Sequence, residues 1–525
     1  MPRSLVFFKH FLTSVFLGVL LCPSMAAALN CSQPPDNTTP ACIGQWTPPF
    51  PSGPANAPTV VVHFNVLPNG KVLLWSRAGA AGGGENGSEP LLTWDPITDQ
   101  YEVGPHIDDL FCSGHALLPD GKLLVAGGVL DGAAIASPYD PVTKTWGTPV
   151  LMNNKRYYPS NLPLGNGEQL VIAGGVGRNA QGKPVENLIP QVWKVGGGFR
   201  NLSTASFKLL QYPWLSLAPD GRVFIPGPQV TSYWLTTGGT GTFTGAQGLG
   251  HPIWKKHRIA GVPITYRPGK ILITGGAGCV ASQTVACDTT NTTERIDLNQ
   301  LPHRWVAAGS LAQPRVDHLG VILPNGDVLV VGGTTGWSGN LQNGGVTGHD
   351  PDESKAVMAP ELWNPGTPQV WKKMAPLSVP RLYHSTGGLL PDGRVYVAGG
   401  GKLGEFTDQR TAEIFSPPYL FKGPRPTITS ITSQLGNNNV KYGEAFTVVT
   451  PNTNITRATL VRLPSTTHSL DFNERFNELP APVKVAGGYR TTIPTNRNIC
   501  PPGHYYLHLI DSTGVPSVAK IVRVR

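Results

Sequence analysis

"LPDGKLLVAGG", residues 118–128, decides the fold. An Asp-Gly pair follows Leu-Pro and precedes an apolar run, which a Gly-Gly then closes. Asp-Gly between apolar stretches is a strong hairpin signal, because glycine tolerates the positive φ of a tight turn. The pattern recurs in "LPNGKVLLW" at 67, "LGNGEQLVIAGG" at 164, "APDGRVFIPG" at 218, "RPGKILITGG" at 267, "LPNGDVLVVGG" at 323 and "LPDGRVYVAGG" at 390. The turn glycines are Gly70, Gly121, Gly167, Gly221, Gly269, Gly326 and Gly393, at intervals of 51, 46, 54, 48, 57 and 67 residues. Seven such hairpins at near-regular spacing mean seven copies of one unit, each too small to bury its own faces and obliged to stack on its neighbours.

Intervals near fifty with a terminal Gly-Gly resemble the Kelch repeat, and "LLTWDPITDQYE", "ASPYDPVTKTW" and "ELWNPGTPQVW" supply outer strands between the hairpins. The resemblance implies an all-β chain built on a seven-bladed Kelch-type β-propeller over residues 58–422. Composition agrees. Only 14% of the 525 residues are charged, while 63 glycines and 51 prolines suit short strands and tight turns rather than helices. After "FSPPYLFKGPRPTI" the pattern stops, and residues 423–525 alternate apolar and polar, as in "EAFTVVTP", "RATLVRLP" and "GHYYLHLIDSTG". A hundred residues of this kind read as an immunoglobulin-like β-sandwich.

The first 28 residues read as a signal peptide: Arg3 and Lys9, then an apolar run too short to span a bilayer, then Ala26, Ala27 and Ala28. Residues 29–57 are Pro-rich and read as an extended arm. No later segment is apolar enough for a membrane span, so a secreted, soluble monomer is expected. Six cysteines then remain. Cys31 with Cys42, and Cys279 with Cys287, are close enough for short-loop disulfides. Cys112 and Cys500 are left over, and sequence leaves their pairing open. Sequons stand at Asn30, Asn37, Asn86, Asn201, Asn291 and Asn454. The formal charge of +9 is scattered, densest at "KKHR" from 255 to 258, with no basic stripe of interleaved aromatics, which argues against a nucleic-acid partner.

Nine residues ahead of each turn glycine stand Val61, Cys112, Tyr158, Tyr212, Ala260, Asp317 and His384. In a propeller the first strand of each hairpin lies innermost, so these positions form a ring around the axis at the mouth opposite the turns. Singly, each has a structural explanation, since a buried cysteine is usually a small hydrophobe and a buried tyrosine usually core. Together they put a thiol, phenols, a carboxyl and an imidazole at one depth. Asp317 and Tyr212 are expected to line the pocket or to satisfy one another.

"FCSGHALLPDG", "RYYPSNLPLGNG", "PRLYHSTGGLLPDG" and "STTHSLDFNERF" resemble, in order, four signature segments of the copper radical oxidases, the family of galactose oxidase and glyoxal oxidase. The resemblance implies one copper ion held by Tyr158, Tyr383, His384 and His468, the last delivered by a hairpin from the C-terminal domain. It further implies a thioether between Cys112 and Tyr158, with Tyr157 off the ring. Cys112, Tyr158 and Tyr383 are then the catalytic set: Tyr383 as base, and the cross-linked Tyr158 as the radical that takes a hydrogen from the substrate. The donor set suits tetragonal Cu(II). Copper changes by one electron, and the radical supplies the second that a two-electron oxidation by O₂ needs, with H₂O₂ released. Tyr383 and His384 are adjacent and would point oppositely on a regular strand, so an irregular strand mouth is expected.

Galactose oxidase stacks a tryptophan over the cross-linked ring; here "AGGVGRNAQG" places Gly177 at that point. The chain therefore looks closer to glyoxal oxidase, with small aldehydes or α-hydroxycarbonyls as substrates. The alternatives are a primary-alcohol oxidase on sugars or aryl alcohols, and a non-catalytic Kelch platform that binds glycan or protein.

Overall fold

The computed structural model describes residues 30–32, 36–76, 91–105, 110–129, 134–181, 184–194, 196–279, 285–342, 345–401 and 407–525. Residues 1–28, expected to be a signal peptide, and the Asn86 sequon lie outside them. Seven antiparallel sheets follow one another along the chain, each opened by one of the seven hairpins. Their first strands are His63–Val66, Gly114–Leu117, Ser160–Pro163, Ser216–Leu217, Val262–Arg267, Leu319–Ile322 and Ser385–Leu389. These strands lie side by side around an axis. Gly114–Leu117 meets Ser160–Pro163, Val262–Arg267 meets Leu319–Ile322, and Ser385–Leu389 packs on His63–Val66, which brings the seventh sheet back to the first.

Glycine lets neighbouring sheets approach. Gly127, Gly275, Gly332 and Gly399, each the first of a terminal Gly-Gly, have φ of 73°, 56°, 70° and 72°. A Cβ on them would fall 2.2 Å from the Arg156 carbonyl oxygen, 2.3 Å from that of Arg315, 2.6 Å from that of Arg381 and 1.9 Å from that of Val61. The last contact joins the seventh sheet to the first. Gly399→Ala is therefore expected to lower stability by roughly 2–4 kcal/mol, read as a lower denaturation midpoint. An unchanged midpoint would contradict this account of the closure.

A buried arginine braces four of the sheets. Arg156, Arg258, Arg315 and Arg381 donate to the carbonyls of Ala173 (2.7 Å), Gly275 (2.8 Å), Gly332 (3.2 Å) and Gly399 (3.2 Å). The last three also pair with Glu294, Glu361 and Glu413, all buried. These arginines satisfy carbonyls that the Gly-Gly kink removes from the ladder. Arg258, counted above in the basic "KKHR" group, is thus interior.

The arm completes the last sheet. Gln45–Trp46 and Phe50–Pro51 pair with Thr411–Ser416, so the outermost strand of the seventh sheet comes from the opposite end of the chain. Cys31–Cys42 and Cys279–Cys287 form disulfides. No helix among the described residues is long and apolar enough to cross a membrane.

C-terminal to the propeller, two further sheets face one another. One runs Ser430–Thr432, Ala445–Val449, Gly488–Thr492, Val483–Val485, and the other is led by Gly503–Asp511 and Ile455–Arg462. Between them lie Phe446, Val448, Leu460, Leu507, Leu509 and Val522. Cys500 is buried in this core, its thiol pushed up to about 11 by burial. It packs as a small hydrophobe and does not reach Cys112. From this unit a hairpin, Ser465–Thr467 and Leu470–Asp471, enters the propeller. Its first strand pairs with the innermost strand of the first sheet, His63 opposite Thr467 and Asn65 opposite Ser465. That pairing carries His468 to the axis.

Candidate metal centre

Six of the seven ring positions share one unusual conformation. Cys112, Tyr158, Tyr212, Ala260, Asp317 and His384 have φ of 61°, 62°, 46°, 53°, 55° and 69°. Positive φ is uncommon for such residues and costs of order 1 kcal/mol or more at each. The backbone bonds explain it. Tyr158 N–H donates to the Cys112 carbonyl (3.1 Å), Tyr212 N–H to that of Tyr158 (2.9 Å), and Asp317 N–H to that of Ala260 (2.8 Å). Each chain turns out of its own strand to bond the next sheet. Val61, the exception, is plain core.

The expected irregularity at Tyr383 has a simple source. Arg156, Arg258 and Arg315 stand eleven residues ahead of Gly167, Gly269 and Gly326, whereas Arg381 stands twelve ahead of Gly393. The seventh hairpin carries one extra residue. With His384 in the left-handed region, Tyr383 and His384 stack with ring centroids 3.9 Å apart instead of pointing to opposite faces.

The site draws its side chains from three of the sheets and the inserted hairpin. The hydroxyls of Tyr158 and Tyr383 share a short hydrogen bond. The His468 ring lies 4.9 Å from that of Tyr158, 5.0 Å from that of His384 and 5.6 Å from that of Tyr383. His384 Nδ1 bonds the Gly401 carbonyl (2.7 Å) and His468 Nδ1 bonds Thr467 Oγ1 (2.7 Å). Each imidazole is thereby oriented through Nδ1, so Nε2 is the atom that would ligate a metal, the usual arrangement for a metal-binding histidine. Cys112 Sγ is 3.7 Å from His468 Nε2 and 3.7 Å from the Tyr157 hydroxyl.

Burial, then the neighbouring thiol, pushes the phenols of Tyr157 and Tyr158 well above their ordinary value. Burial likewise holds that of Tyr212 well above its own. A phenol held this way ionises only beside a cation. Two imidazoles and two phenols converging in a buried site fit a tetragonal copper(II) ion. Among the described residues no group of three or more His, Cys, Asp or Glu side chains offers a competing metal site.

Tyr212 and Asp317 do not satisfy one another. The Tyr212 hydroxyl donates to the Ser113 carbonyl (3.0 Å), and both residues line a pocket of about 70 Å³ with Tyr158, Trp214, Tyr383 and His468. A Cβ on Gly177 would meet nothing within 4 Å, so no side chain covers Tyr158 from that point. Tyr157 stands edge-on to Tyr158 instead, centroids 4.3 Å apart.

Sequence reading missed a buried relay behind the thiol. Cys112 N–H donates to His63 Nε2 (3.3 Å), and His63 Nδ1 bonds His115 Nε2 (3.0 Å). His115 Nδ1 bonds Ser465 Oγ (2.7 Å), which donates to Asn65 Oδ1 (2.6 Å). The donors run in one direction only if both histidines are neutral. Burial, which drives both imidazoles far below their ordinary value, agrees. The relay ties the backbone at Cys112 to the hairpin that bears His468.

Two family models match the chain: Glyoxal oxidase N-terminus over residues 263–419, and Galactose oxidase-like, Early set domain, over 425–524. A galactose oxidase of Gibberella zeae is 29% identical over 527 residues, covering 95% of this chain and 73% of that one. Aldehyde oxidase GLOX of Vitis pseudoreticulata is 28% identical over 456 residues, 80% of this chain and 82% of its own. Among solved structures, a fungal alcohol oxidase of the AA5 family in complex with copper shares the fold. Its TM-score is 0.77 at 24% identity, with coverage of 92% of this chain and 99% of that one.

Proposed function

We propose that this member of the copper radical oxidase family, the family of galactose oxidase and glyoxal oxidase, oxidises small aldehydes and α-hydroxycarbonyls with O₂. An aldehyde hydrate and O₂ give a carboxylic acid and H₂O₂; a hydroxymethyl ketone and O₂ give a ketoaldehyde and H₂O₂. The observation that carries this reading is the convergence of Tyr158, Tyr383, His384 and His468 on one point of the axis, with the Cys112 sulfur beside them. These four residues would hold the copper, and Cys112 would be joined to Tyr158 by a thioether.

Bound copper together with the oxidised, sulfur-substituted phenol supplies the two oxidising equivalents the reaction needs. Tyr383 accepts the proton of the substrate hydroxyl, and Tyr158 takes the hydrogen from its carbon. The buried surroundings keep water from intercepting either step. In this reading residues 1–28 direct export and are removed, and the propeller ends near residue 422.

The same chemistry serves primary alcohols, and the likeness to galactose oxidase keeps that second reading in view. Open space at Gly177 and the small pocket favour the first. Copper-loaded protein is expected to release H₂O₂ from glyoxal, methylglyoxal or hydroxyacetone faster than from galactose or benzyl alcohol. Faster turnover of galactose would move the assignment to the sugar-alcohol oxidases, and no peroxide from any of them would leave a binding platform.

A further inference from the structure

Among the described residues Asp317 and Glu186 each bury a carboxylate oxygen that has no hydrogen-bond partner, but Glu186 accepts from Gln211 (3.3 Å) through its other oxygen. Glu294, Glu361 and Glu413 are each paired with an arginine, and Asp471 accepts two backbone N–H groups, from Ser465 and Asn473, both at 2.9 Å. Asp327 is bonded by Asn325 and Asn364. Asp317 is 6% exposed, and its Oδ2 is buried with no hydrogen-bond partner. Its backbone is fully engaged: the N–H donates to Ala260, and the carbonyl accepts from Ser469 Oγ (3.4 Å). The main chain at Asp317 is therefore held in a fixed place. That place is the wall of the pocket shared with Tyr158, Tyr383 and His468. Burial alone, with no cation beside it, pushes the group up to about 7.

An unsatisfied buried polar group is costly unless something that enters the pocket satisfies it. The rest of the wall is mostly apolar or aromatic, with Leu210, Trp214, Ile259 and Leu470. The pocket, about 70 Å³, is roughly half the volume of an engineered 150 Å³ cavity that accepts benzene. That inner volume takes a fragment of about three carbons, and a larger substrate would extend beyond it.

Resting on the oxidase reading above, we propose that Asp317 is the specificity residue of this site. It hydrogen-bonds a second oxygen of the substrate, on the carbon next to the one oxidised, and so selects short vicinally oxygenated compounds over simple alcohols and aldehydes. A site with a polar group placed to bond a substrate hydroxyl rejects the analogue lacking it far more strongly than an apolar pocket rejects a missing methylene.

Glycerol and 1-propanol, matched in carbon count, test this on the copper-loaded enzyme. The parent is expected to favour glycerol in kcat/KM. Asp317→Ala is expected to lower kcat/KM for glycerol by about tenfold to a hundredfold, mainly through KM, and to leave 1-propanol within about threefold. Asp317→Asn, which keeps a hydrogen-bonding side chain and tolerates the left-handed backbone, is expected to recover part of the loss. Saturation-transfer NMR of glycerol on copper-free protein reads binding without turnover, and the signal should vanish in Asp317→Ala alone.

Equal losses on both alcohols, or glycerol binding retained in Asp317→Ala, overturns the assignment. If no substrate releases peroxide, the oxidase reading fails, while the NMR arm still decides whether Asp317 binds a vicinal hydroxyl. Copper content and thermal midpoint accompany each variant.

Discussion

Cys112→Ala is expected to fold and bind copper as the parent does, yet to release H₂O₂ about a thousandfold more slowly or worse, a rise of about 4 kcal/mol or more in the activation barrier. The structure separates the two effects. Cys112 is held by its backbone, through its N–H to His63 and its carbonyl to Tyr158 N–H, and alanine keeps both bonds. Its left-handed φ of 61° already carries a Cβ. The lost sulfur leaves a small apolar gap in the cluster around Tyr158, Tyr212 and Trp214, costing on the order of 1 kcal/mol. In the proposed role none of the four copper-holding side chains changes. What disappears is the substituent that makes the Tyr158 phenol easier to oxidise. Copper content, thermal midpoint and peroxide release, measured together, check this. Parent-like activity would remove the thiol from the chemistry.

Tyr383→Phe should be nearly as damaging, lowering kcat by about a hundredfold to ten-thousandfold, the range of a lost general base. Phenylalanine preserves the stack on His384 at 3.9 Å and deletes only the hydroxyl that meets the Tyr158 hydroxyl. Three of the four proposed copper-holding residues remain. The effect should therefore fall on kcat more than on copper content. A variant with ordinary kcat and depleted copper would make Tyr383 a structural ligand rather than the base.

The hairpin turns made the fold legible. Asp-Gly and Asn-Gly fix local geometry without help from distant residues, so seven sheets could be counted before any were seen. Counting nine residues back from each turn glycine reached seven ring positions, six of them left-handed; only Val61 lacks the conformation. The anomaly at Tyr383 and His384 was also visible, because adjacent residues on a strand cannot share a face. Its cause, one residue more between Arg381 and Gly393 than in three sister hairpins, was readable as well, had the arginines been aligned with the glycines.

Other features depend on contacts far apart in sequence. Nothing local tells that Gln45–Trp46 closes the seventh sheet, or that Ser465–Thr467 pairs with His63–Val66. The relay through His63 and His115 needs the second of these pairings, which brings Ser465 to His115, so neither histidine stands out in the sequence. Tyr157 was set aside as off the ring, yet its hydroxyl lies 3.7 Å from Cys112 Sγ. The ring argument orders backbone positions, and a phenol reaches several ångströms beyond its backbone.

That proximity makes one measurement decisive. Forming the thioether breaks the Cys112 S–H bond and one ring C–H bond ortho to the phenol oxygen, makes one C–S bond, and passes two hydrogens to O₂. After aerobic copper loading and trypsin digestion, mass spectrometry should find the Cys112 peptide joined to the peptide that begins after Arg156, lighter than their sum by two hydrogens. Tyr157 and Tyr158 share that peptide, so fragmentation must place the link, and the account predicts Tyr158. Two separate, unmodified peptides from active enzyme, or a link fixed on Tyr157, would contradict it.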